Sequence, residues 1–579
     1  MSLNDKAAEI TQFITKEYER TEPLRKRIAD DFVLWQPEGF TIDKNRGDYR
    51  LVTSNRPRVW ADKIVSELSY ADVRLSIPLI SKPPRDLRKN GSMTELAAYG
   101  LLAMAEDELA LRVNPSLQST LSWHAPVRGW LVPRIWLYME DGLLHVDIAA
   151  WDILNTYWAI DKKGLSRVAY VRYGSKSEID DTYGISSSED SQGRVKVIDH
   201  WDRDKETVIV PSAKNEVVDG QENILKRVPV GLFPVGSIPH VQGSSEGGSE
   251  ADKQNIKHLG ESCFGRIRHI APILSEIESY YLTTVAMGTH APIVNEFDSS
   301  KGGQPAEFDA NPYSTGATIN LDVGKGQKLS PLFKPTTPQE ALTLYQMVLA
   351  DFSIATGPDV MYGQSPGQLT AQGTAMLLRA AAASMKDCTI TMERVYTWIA
   401  NELIRQYKAG DFGDMNMQGV DGKHVPFAVN VKRADLVTDH RIIAQLSMDT
   451  PQDKLTLSGI LSQYYRDGVI SRQTYRDKTG EVPDTDVEQE IIDREKAAEA
   501  FQLAEYELLR ELVESKQWGP AKRVAAIIKQ KEMMAEQIAM QVNPPQGQGS
   551  PPMPMVPKGN TPRTQVPTSP PPPRGTGVT

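Results

Sequence analysis

Two segments decide the fold of this chain: residues 267–285 read IRHIAPILSEIESYYLTTV, and residues 337–355 read TPQEALTLYQMVLADFSIA. In each segment apolar residues recur at steps of three and four, which places them along one side of an α-helix. The recurring residues are Ile267, Ile270, Leu274, Ile277, Tyr281 and Val285 in the first segment and Ala341, Tyr345, Val348, Phe352 and Ala355 in the second. The pattern predicts two helices that each carry an apolar stripe.

Local signals mark where these two helices begin and end. Pro272 interrupts the first stripe, so the first helix either kinks there or begins there. Thr337 suits the capping position of the second helix, Pro338 suits its first turn, and Glu340 completes a capping box. Gly357, which a proline follows, is expected to end the second helix.

A β-rich excursion joins the two predicted helices. Its short β-like runs cover residues 292–297, 317–321 and 328–333, and turns that contain glycine separate them. A polar, glycine-rich loop follows the second helix over residues 357–372. A long helix is then predicted over residues 373–408, on the order of 50 Å at the rise of an α-helix, and Gly410 is placed to stop it.

The rest of the chain mixes helical and β-rich patterns. A helix is predicted over residues 7–35, with a break at Pro23. The other predicted helices are 55–68, 93–111, 439–449, 451–467, 484–515 and 521–541. The predicted strands are 73–77, 131–139, 143–148, 151–160, 166–173, 195–201, 207–210 and 426–432, with an Asp-Gly hairpin turn at residues 140–142. Residues 543–579, rich in proline and free of acidic residues, are expected to be disordered.

Composition narrows the class of protein. A hydrophobic fraction of 40% and a charged fraction of 24% are typical of a soluble globular protein. The sequence has no apolar run long enough to span a membrane, and its N-terminus lacks the pattern of a signal peptide. The two cysteines, Cys263 and Cys388, both fall on predicted helices, which favours a reducing compartment without disulfide bonds. Six tryptophans between residues 123 and 201 are expected to pack in a core or between subunits.

Motifs for catalysis or cofactor binding are not found in the sequence. Residues 173–177 lack the Gly-Lys pair of a phosphate-binding loop. Residues 243–247 match Gly-x-Ser-x-Gly, but Pro239 and the further glycines and serines favour a flexible linker over a nucleophile elbow. The nine histidines show no spacing typical of metal ligands. The sequence therefore predicts a protein that is not an enzyme and holds no cofactor or metal.

The order of these elements resembles the portal, or head–tail connector, proteins of tailed bacteriophages. In that family a stem helix leads to a small clip, a second stem helix returns, a tunnel loop enters a channel and a long helix follows. Four short stretches are similar to the family's landmarks in order and spacing: Gly260-Glu261-Ser262, residues 290–294, residues 354–358 and residues 361–363. The resemblance covers most of the chain from about residue 20 to residue 410.

The resemblance implies an α+β, helix-rich subunit of a ring oligomer. Its regions would be an N-terminal wing with helices and then a β-rich sheet (1–259), stem helix one (260–289), the clip (290–337), stem helix two (338–356), the tunnel loop (357–372), a long helix with a return to the wing (373–483), a helical crown (484–542) and a proline-rich disordered tail (543–579).

The resemblance also implies a location and partners. The expected assembly is a dodecameric ring at one capsid vertex of the virion, assembled in the host cytoplasm, through which double-stranded DNA is packaged and ejected. Its partners would be the terminase large subunit, tail adaptor or connector proteins, and major capsid and scaffolding proteins, with no membrane. A net charge of −10 without a basic block fits a channel in which DNA slides, although the simplest interpretation of that charge is that the chain binds no DNA.

Three groups of residues receive roles from the resemblance. The tunnel loop would line the channel with Gly357, Gly363, Gln364, Ser365, Gly367, Gln368, Thr370 and Gln372. The clip would dock partners through Glu296, Lys325 and Lys328, for which plain solvation is the alternative. The stem would pack through Ile267, Ile270, Leu274, Ile277, Tyr281, Tyr345, Val348 and Phe352, for which an ordinary intramolecular hairpin is the alternative. Glycines let a loop shift, so a β-branched residue at Gly363 or Gly367 is expected to impair packaging or genome retention more than ring assembly.

Two other functions stay open at the level of sequence. One is a different structural protein of the head–tail junction or a minor capsid component with the same helix-rich composition. The other is a nucleic-acid-processing enzyme, which would need the motifs that the sequence lacks.

Overall fold

A computed structural model describes most of the chain up to residue 447 and short stretches beyond it. The described residues are 3–36, 50–78, 85–213, 217–220, 222–237, 248–289, 293–305, 321–331, 339–356, 371–410, 412–422, 424–447 and separate positions between 459 and 529. The chain divides into two compact units, residues 1–484 and 485–579.

The first unit is a mixed α+β structure. Its main helices are α1 (Leu3–Trp35), α2 (Arg56–Ser69), α3 (Arg85–Leu111), α4 (Leu117–Arg128), α5 (Lys176–Tyr183), α6 (Gly248–Lys257), α7 (Ile270–Thr289), α8 (Gln339–Thr356) and α9 (Ala371–Ala409). Its strands are β1 (Asp72–Ser76), β2 (Trp130–Leu131), β3 (Pro133–Glu140), β4 (Leu143–Ala150), β5 (Thr156–Asp161), β6 (Gly164–Gly174), β7 (Val195–Asp202), β8 (Glu206–Ile209), β9 (Val217–Asp219), β10 (Phe233–Pro234), β11 (Ile293–Glu296), β12 (Lys328–Pro331), β13 (Met415–Val420), β14 (Pro426–Val431) and β15 (Ile443–Ser447).

One antiparallel sheet organises the β-rich region. Strands β5 to β9 pair in sequence order, so the chain forms a meander. The first half of α1 covers one face of the sheet through Ile10, Phe13 and Ile14, and α5 covers the opposite face through Ile179. Side chains alternate between the faces of a strand, which is why neighbouring residues of β7 belong to different clusters.

Strands β3 and β4 form the hairpin that the sequence predicted around its Asp-Gly turn. The two strands pair in register from Pro133–Ala150 to Glu140–Leu143. Asp141 and Gly142 both have positive φ, at 51° and 78°, as a two-residue turn of this type requires. This prediction is confirmed.

Tryptophans dominate a second core between this hairpin, the sheet and α1. Five tryptophans are buried there: Trp130, Trp136, Trp151, Trp158 and Trp201. The ring centroids of Trp136 and Trp201 lie 4.8 Å apart. Trp123 is half-buried against the largest core, which α2, α3, α4 and α9 share with the start of α7. The expectation that the tryptophans pack in a core is confirmed for these five residues.

Two predictions about the regular elements were wrong. Residues 439–449 were expected to be helical, but β15 lies there and pairs antiparallel with β1. Pro23 was expected to break the first helix, yet α1 runs through it. Leu24 and Ile28 pack in the tryptophan core and Ile10 in the sheet cluster, so burial on both sides of the proline holds the helix continuous.

Smaller differences concern boundaries and elements that were not predicted, among them helix α4 and strands β9, β10 and β13. A 3-10 turn, Cys263–Arg266, precedes α7, and Pro272 lies in the first turn of α7, so it marks the start of the helix and no kink. Helix α9 begins at Ala371, two residues before the predicted start. Strand β13 was not predicted; it pairs with β14 and packs on α3.

The second unit is described only between residues 509 and 529. Its described positions there are helical, at 509–510, 512–514, 518–520 and 522–529. The helices predicted over 484–515 and 521–541 include these positions except 518–520, which lie in the predicted gap between them, and the tail predicted over 543–579 lies outside the described residues.

Candidate functional site

Helices α7 and α8 form an antiparallel hairpin that projects from the largest core. Its base is buried, since Leu274 of α7 and Phe352 of α8 both belong to that core. Farther out, the rings of Tyr281 and Tyr345 meet edge to face with centroids 5.6 Å apart, and the Tyr345 hydroxyl donates to Oε1 of Glu278 at 3.3 Å. These contacts join the two helices along the predicted stripes.

The predicted stem residues fall into two classes in the structure. Ile267, Leu274 and Phe352 are buried. The half-buried residues are Ile270, Ile277, Tyr281, Tyr345 and Val348. Ile267 lies in the turn before α7, and the others lie on the two helices, so the structure brings the whole predicted set to the hairpin.

The hairpin also carries large apolar side chains on its outer surfaces. On α7 these are Ile273, Leu282, Val285 and Met287, and on α8 they are Leu342, Leu344, Met347 and Ile354. Met347 is 61% exposed and Ile354 is 81% exposed. Apart from Val285, these residues lie off the stripe of closest spacing that the sequence shows on each helix, and they were not predicted to matter.

The tip of the hairpin contains the pair of strands that corresponds to the predicted clip. Strands β11 and β12 are antiparallel, with Glu296 opposite Lys328. Nζ of Lys328 lies 3.9 Å from Oε2 of Glu296, and Nζ of Lys325 lies 3.3 Å from Oδ2 of Asp322. The four side chains are between 49% and 70% exposed, so these charged pairs contribute little to stability and leave a charged, accessible surface.

The predicted tunnel loop lies almost entirely outside the described residues. This applies to Gly357, Gly363, Gln364, Ser365, Gly367, Gln368 and Thr370. Gln372, which was assigned to the loop, lies instead in the first turn of α9.

A row of hydroxyl groups on α7 binds an extended segment of the chain, and the sequence analysis missed it. We call residues 50–54 the strap. The backbone N–H groups of Arg50, Val52 and Ser54 donate to the side-chain oxygens of Thr283, Ser279 and Ser275 at 2.9, 2.9 and 3.1 Å. Four residues of helix rise about 6 Å and two residues of extended chain about 6.6 Å, so the two repeats match over this length. The signal in the sequence was the pattern Ser-x-x-x-Ser-x-x-x-Thr, which places polar residues along a single face of the helix, the face that is buried here.

Helix α9 binds β15 in the same way. The N–H groups of Ile442, Ala444 and Leu446 donate to side-chain oxygens of Asn401, Thr397 and Glu393 at 3.1, 2.9 and 3.1 Å. These three acceptors are again four residues apart and run antiparallel to the strand. They satisfy the edge of β15 that faces away from β1, which explains why this segment is a strand in the folded chain.

An ionic cluster fixes the base of the hairpin to α1. Asp31 is fully buried and accepts hydrogen bonds from Arg268 and from the hydroxyl of Ser262. Glu261 binds Arg27 at 3.1 Å and Arg268 at 2.8 Å. Burial of the Glu261 carboxyl works to raise its pKa, but Arg27, His258 and Arg268 outweigh that effect and hold the pKa below its usual value. As expected for adjacent acidic residues, Asp30 faces solvent while Asp31 faces the protein.

Two thiols lie close to this cluster and show no sign of catalytic activation. Cys263 and Cys388 are both free and line one cavity of 450 Å³ beside Glu261 and Arg268. Burial raises the pKa of Cys388 to about 12, so the group is a thiol and a poor nucleophile. Within the described residues, no three His, Cys, Asp or Glu side chains are grouped so as to hold a metal ion.

No protein-family model matches the chain, and no curated protein matches it. Among the helices that the structure describes, none has both the length and the apolar character needed to cross a membrane.

Proposed function

We propose that this chain is the subunit of a viral portal, a ring of identical copies at one capsid vertex. The observation that carries the proposal is the α7–α8 hairpin, which buries its base in the subunit and presents apolar side chains on its outer surfaces. Large apolar groups on a projecting hairpin are typical of an interface between subunits. The order of hairpin, charged strand tip and long α9 supports the resemblance to portal subunits.

The outer residues of the two helices support a head-to-tail interface. Ile273 and Met287 are fourteen residues apart, so they lie on nearly the same side of α7. Leu344, Met347 and Ile354 form a stripe on α8 by the same reasoning. The stripe of α8 in one copy would pack against the outer side of α7 in the next. An interface between two different surfaces generates a closed ring when the rotation between copies closes.

Energetics favour burial of these side chains between copies. Complete burial of a Leu, Ile or Met side chain contributes about 1.5–3 kcal/mol, and these side chains are already partly covered within the subunit. Two facing stripes of about five such residues would therefore contribute several kcal/mol at each interface. A closed ring repeats this contribution at every subunit and leaves no stripe in water.

Double-stranded DNA would pass through the ring, with the clip as the docking surface for terminase and then for tail adaptor or connector proteins. The paired charges Glu296–Lys328 and Asp322–Lys325 support a polar docking surface without a strong positive field. A channel through which DNA slides is served by weak contacts, because each tightly bound phosphate would oppose movement. In this proposal the chain has no catalytic role, and its other partners are the major capsid and scaffolding proteins of a virion assembled in the host cytoplasm.

The decisive experiment measures the mass and shape of the purified full chain. Light scattering after size exclusion and negative-stain images are expected to give rings with a central hole. Met347→Glu and Ile354→Glu are expected to yield folded single subunits, because each places a charge in the interface. Leu143→Glu serves as the matched control, since Leu143 is 65% exposed at the tip of the β3–β4 hairpin, and rings should persist.

Other outcomes of this experiment would point to different functions. A folded single subunit at high concentration would overturn the proposal. It would favour instead a structural protein of the head–tail junction that forms no ring. Hydrolysis of ATP or cleavage of DNA by the purified chain would favour a nucleic-acid-processing enzyme.

A further inference from the structure

The strap and the hydroxyl ladder form a contact between polar groups at the periphery of the largest core. We use hydroxyl ladder for Ser275, Ser279 and Thr283. In α7 from residue 275 to residue 287, the buried residues are these three. The outer part of α7 is therefore held to the strap through polar groups, whereas Ala271 and Leu274 at its base are held by apolar packing.

The ladder hydroxyls bond in two directions at once. The hydroxyls of Ser275, Ser279 and Thr283 donate to the carbonyl groups four residues earlier in α7, at 3.2, 2.7 and 2.8 Å. The same oxygens accept the strap N–H groups. When the strap leaves, each hydroxyl keeps its bond to the helix, so α7 loses no internal hydrogen bond.

The strap itself contributes little apolar burial. Arg50 and Leu51 are exposed, Val52 and Thr53 are half-buried, and only Ser54 at the junction with α2 is buried. A cavity of 280 Å³ lies beneath this junction, lined by Thr53, Pro57 and Ala271 among others. Segments with few buried apolar contacts open at a low free energy, independently of the core.

Strand β15 shows how the same chemistry behaves when it is part of a core. The N–H groups of Leu446 and Ala444 in β15, and of Ile442 just before it, bind Glu393, Thr397 and Asn401 with the same spacing. Ile442 and Ala444 are buried, however, and the strand also pairs with β1. The same arrangement of three hydrogen bonds therefore occurs twice: at β15 it lies inside the core, and at the strap it lies at the periphery of the core.

We propose that the strap is a releasable latch on the α7–α8 hairpin. When bound, it fixes the outer half of α7; when it opens, the hairpin is held by its base, at Ile267, Leu274 and Phe352, and can pivot there. The inference rests on contacts within one subunit and does not depend on ring formation.

Hydrogen exchange of the full chain tests the latch without any substitution. The amides of residues 50, 52 and 54 are expected to exchange at least about 100-fold faster than those of residues 442, 444 and 446, since local opening exposes only the first set. Equal protection of the two sets would overturn the proposal.

A variant that removes the ladder provides the second test. In Ser275→Ala/Ser279→Ala/Thr283→Val, exchange at residues 50, 52 and 54 is expected to rise roughly 5- to 10-fold for each lost hydroxyl, while the helical amides of α7 remain protected. Thr284→Val is the matched control, because its hydroxyl bonds to Tyr280 within the helix, and it should leave the strap unchanged. Thr283→Val alone, measured in parallel, should release the Arg50 end even if the triple variant fails to fold. Equal loss of protection in the strap and in α7 would show that no separate latch exists.

Fluorescence anisotropy reports whether release frees the hairpin. A dye attached at Lys301→Cys, beside the strands of the tip, is expected to show lower anisotropy in the triple variant than in the wild type or in Thr284→Val. Unchanged anisotropy together with a released strap would overturn the pivot.

Discussion

Arg268 donates two hydrogen bonds to Asp31, from Nε to Oδ1 at 2.6 Å and from Nη2 to Oδ2 at 2.9 Å. Asp31 lies near the end of α1 and Arg268 lies just before α7, so the pair ties the first helix of the chain to the base of the hairpin. Arg27, one turn earlier on α1, is also buried and faces the same carboxylate. The position of the hairpin therefore depends on a charge that solvent does not reach.

We predict that Asp31→Asn destabilises the protein by about 3–5 kcal/mol, because it leaves the buried Arg27 and the partly buried Arg268 without their full partner. Urea unfolding followed by tryptophan fluorescence measures the change. Asp30→Asn is the matched control: it alters the neighbouring, exposed carboxylate, and its effect should stay within about 0.5 kcal/mol. Similar losses in the two variants would show that the buried cluster does not stabilise the base.

Gly260 provides a second prediction at the same junction. Its φ is +77°, and a Cβ atom added there would lie 2.6 Å from the carbonyl oxygen of Gly129 and 2.6 Å from Nε1 of Trp130. Gly142 has nearly the same φ, +78°, but open space around it. Gly142→Ala should lower the free energy of unfolding by about 1–2 kcal/mol through backbone strain alone. Gly260→Ala should lower it clearly more, because the backbone at Gly129 and the indole of Trp130 must also move. Thermal unfolding of both variants checks this order, and equal shifts would contradict it.

The elements that the sequence predicted well are those with local causes. Helices α7 and α8 follow from the spacing of Leu274 and Phe352 with their neighbours, and the β3–β4 hairpin follows from its Asp-Gly turn. In each case the residues that determine the structure are near one another in sequence, so periodicity and turn chemistry were sufficient.

The features that could not be predicted depend on partners far away in the chain. The hydroxyls of α7 bind a segment more than 220 residues earlier, and Asp31 binds a serine 231 residues later. Residues 439–449 have a helical pattern, but β1 and the polar side chains of α9 impose a strand. Such long-range pairing overrides local preference, and a single sequence carries no sign of which distant groups will meet.

Glu206 gives a prediction about stability between about pH 4.5 and pH 7. Burial, with the nearby Asp199, Asp219 and Asp147, raises the pKa of Glu206 to about 7 against the opposing effect of Arg134. The folded state therefore holds a proton on this carboxyl that the unfolded state releases above about pH 4.5, so stability falls as the pH rises from there to about 7. Glu206→Gln should raise the free energy of unfolding in urea relative to wild type by on the order of 2–3 kcal/mol at about pH 8, and change it little near pH 4.5. The same difference at both pH values would show that the titration of Glu206 is not responsible.

His200 gives the opposite pH dependence, since its contribution to stability is lost as the pH falls. It is buried on β7 beside the ring of Phe13, and burial, with the charges of Lys6 and Arg167, lowers its pKa to about 4. Below about pH 6.5 the imidazole of His200 binds a proton in the unfolded chain but not in the folded chain. Stability therefore falls as the pH drops from 6.5 towards 4.

In His200→Leu we expect this part of the pH dependence to disappear, which amounts to about 3 kcal/mol between the two pH values. Urea unfolding of wild type and variant at several pH values between these limits measures the slope. His424→Asn is the control, because His424 is largely exposed and its φ of 61° is one that Asn tolerates, so its slope should match the wild type. A wild-type slope in His200→Leu would assign the acid sensitivity to other groups, among them the Glu261 cluster at the base of the hairpin.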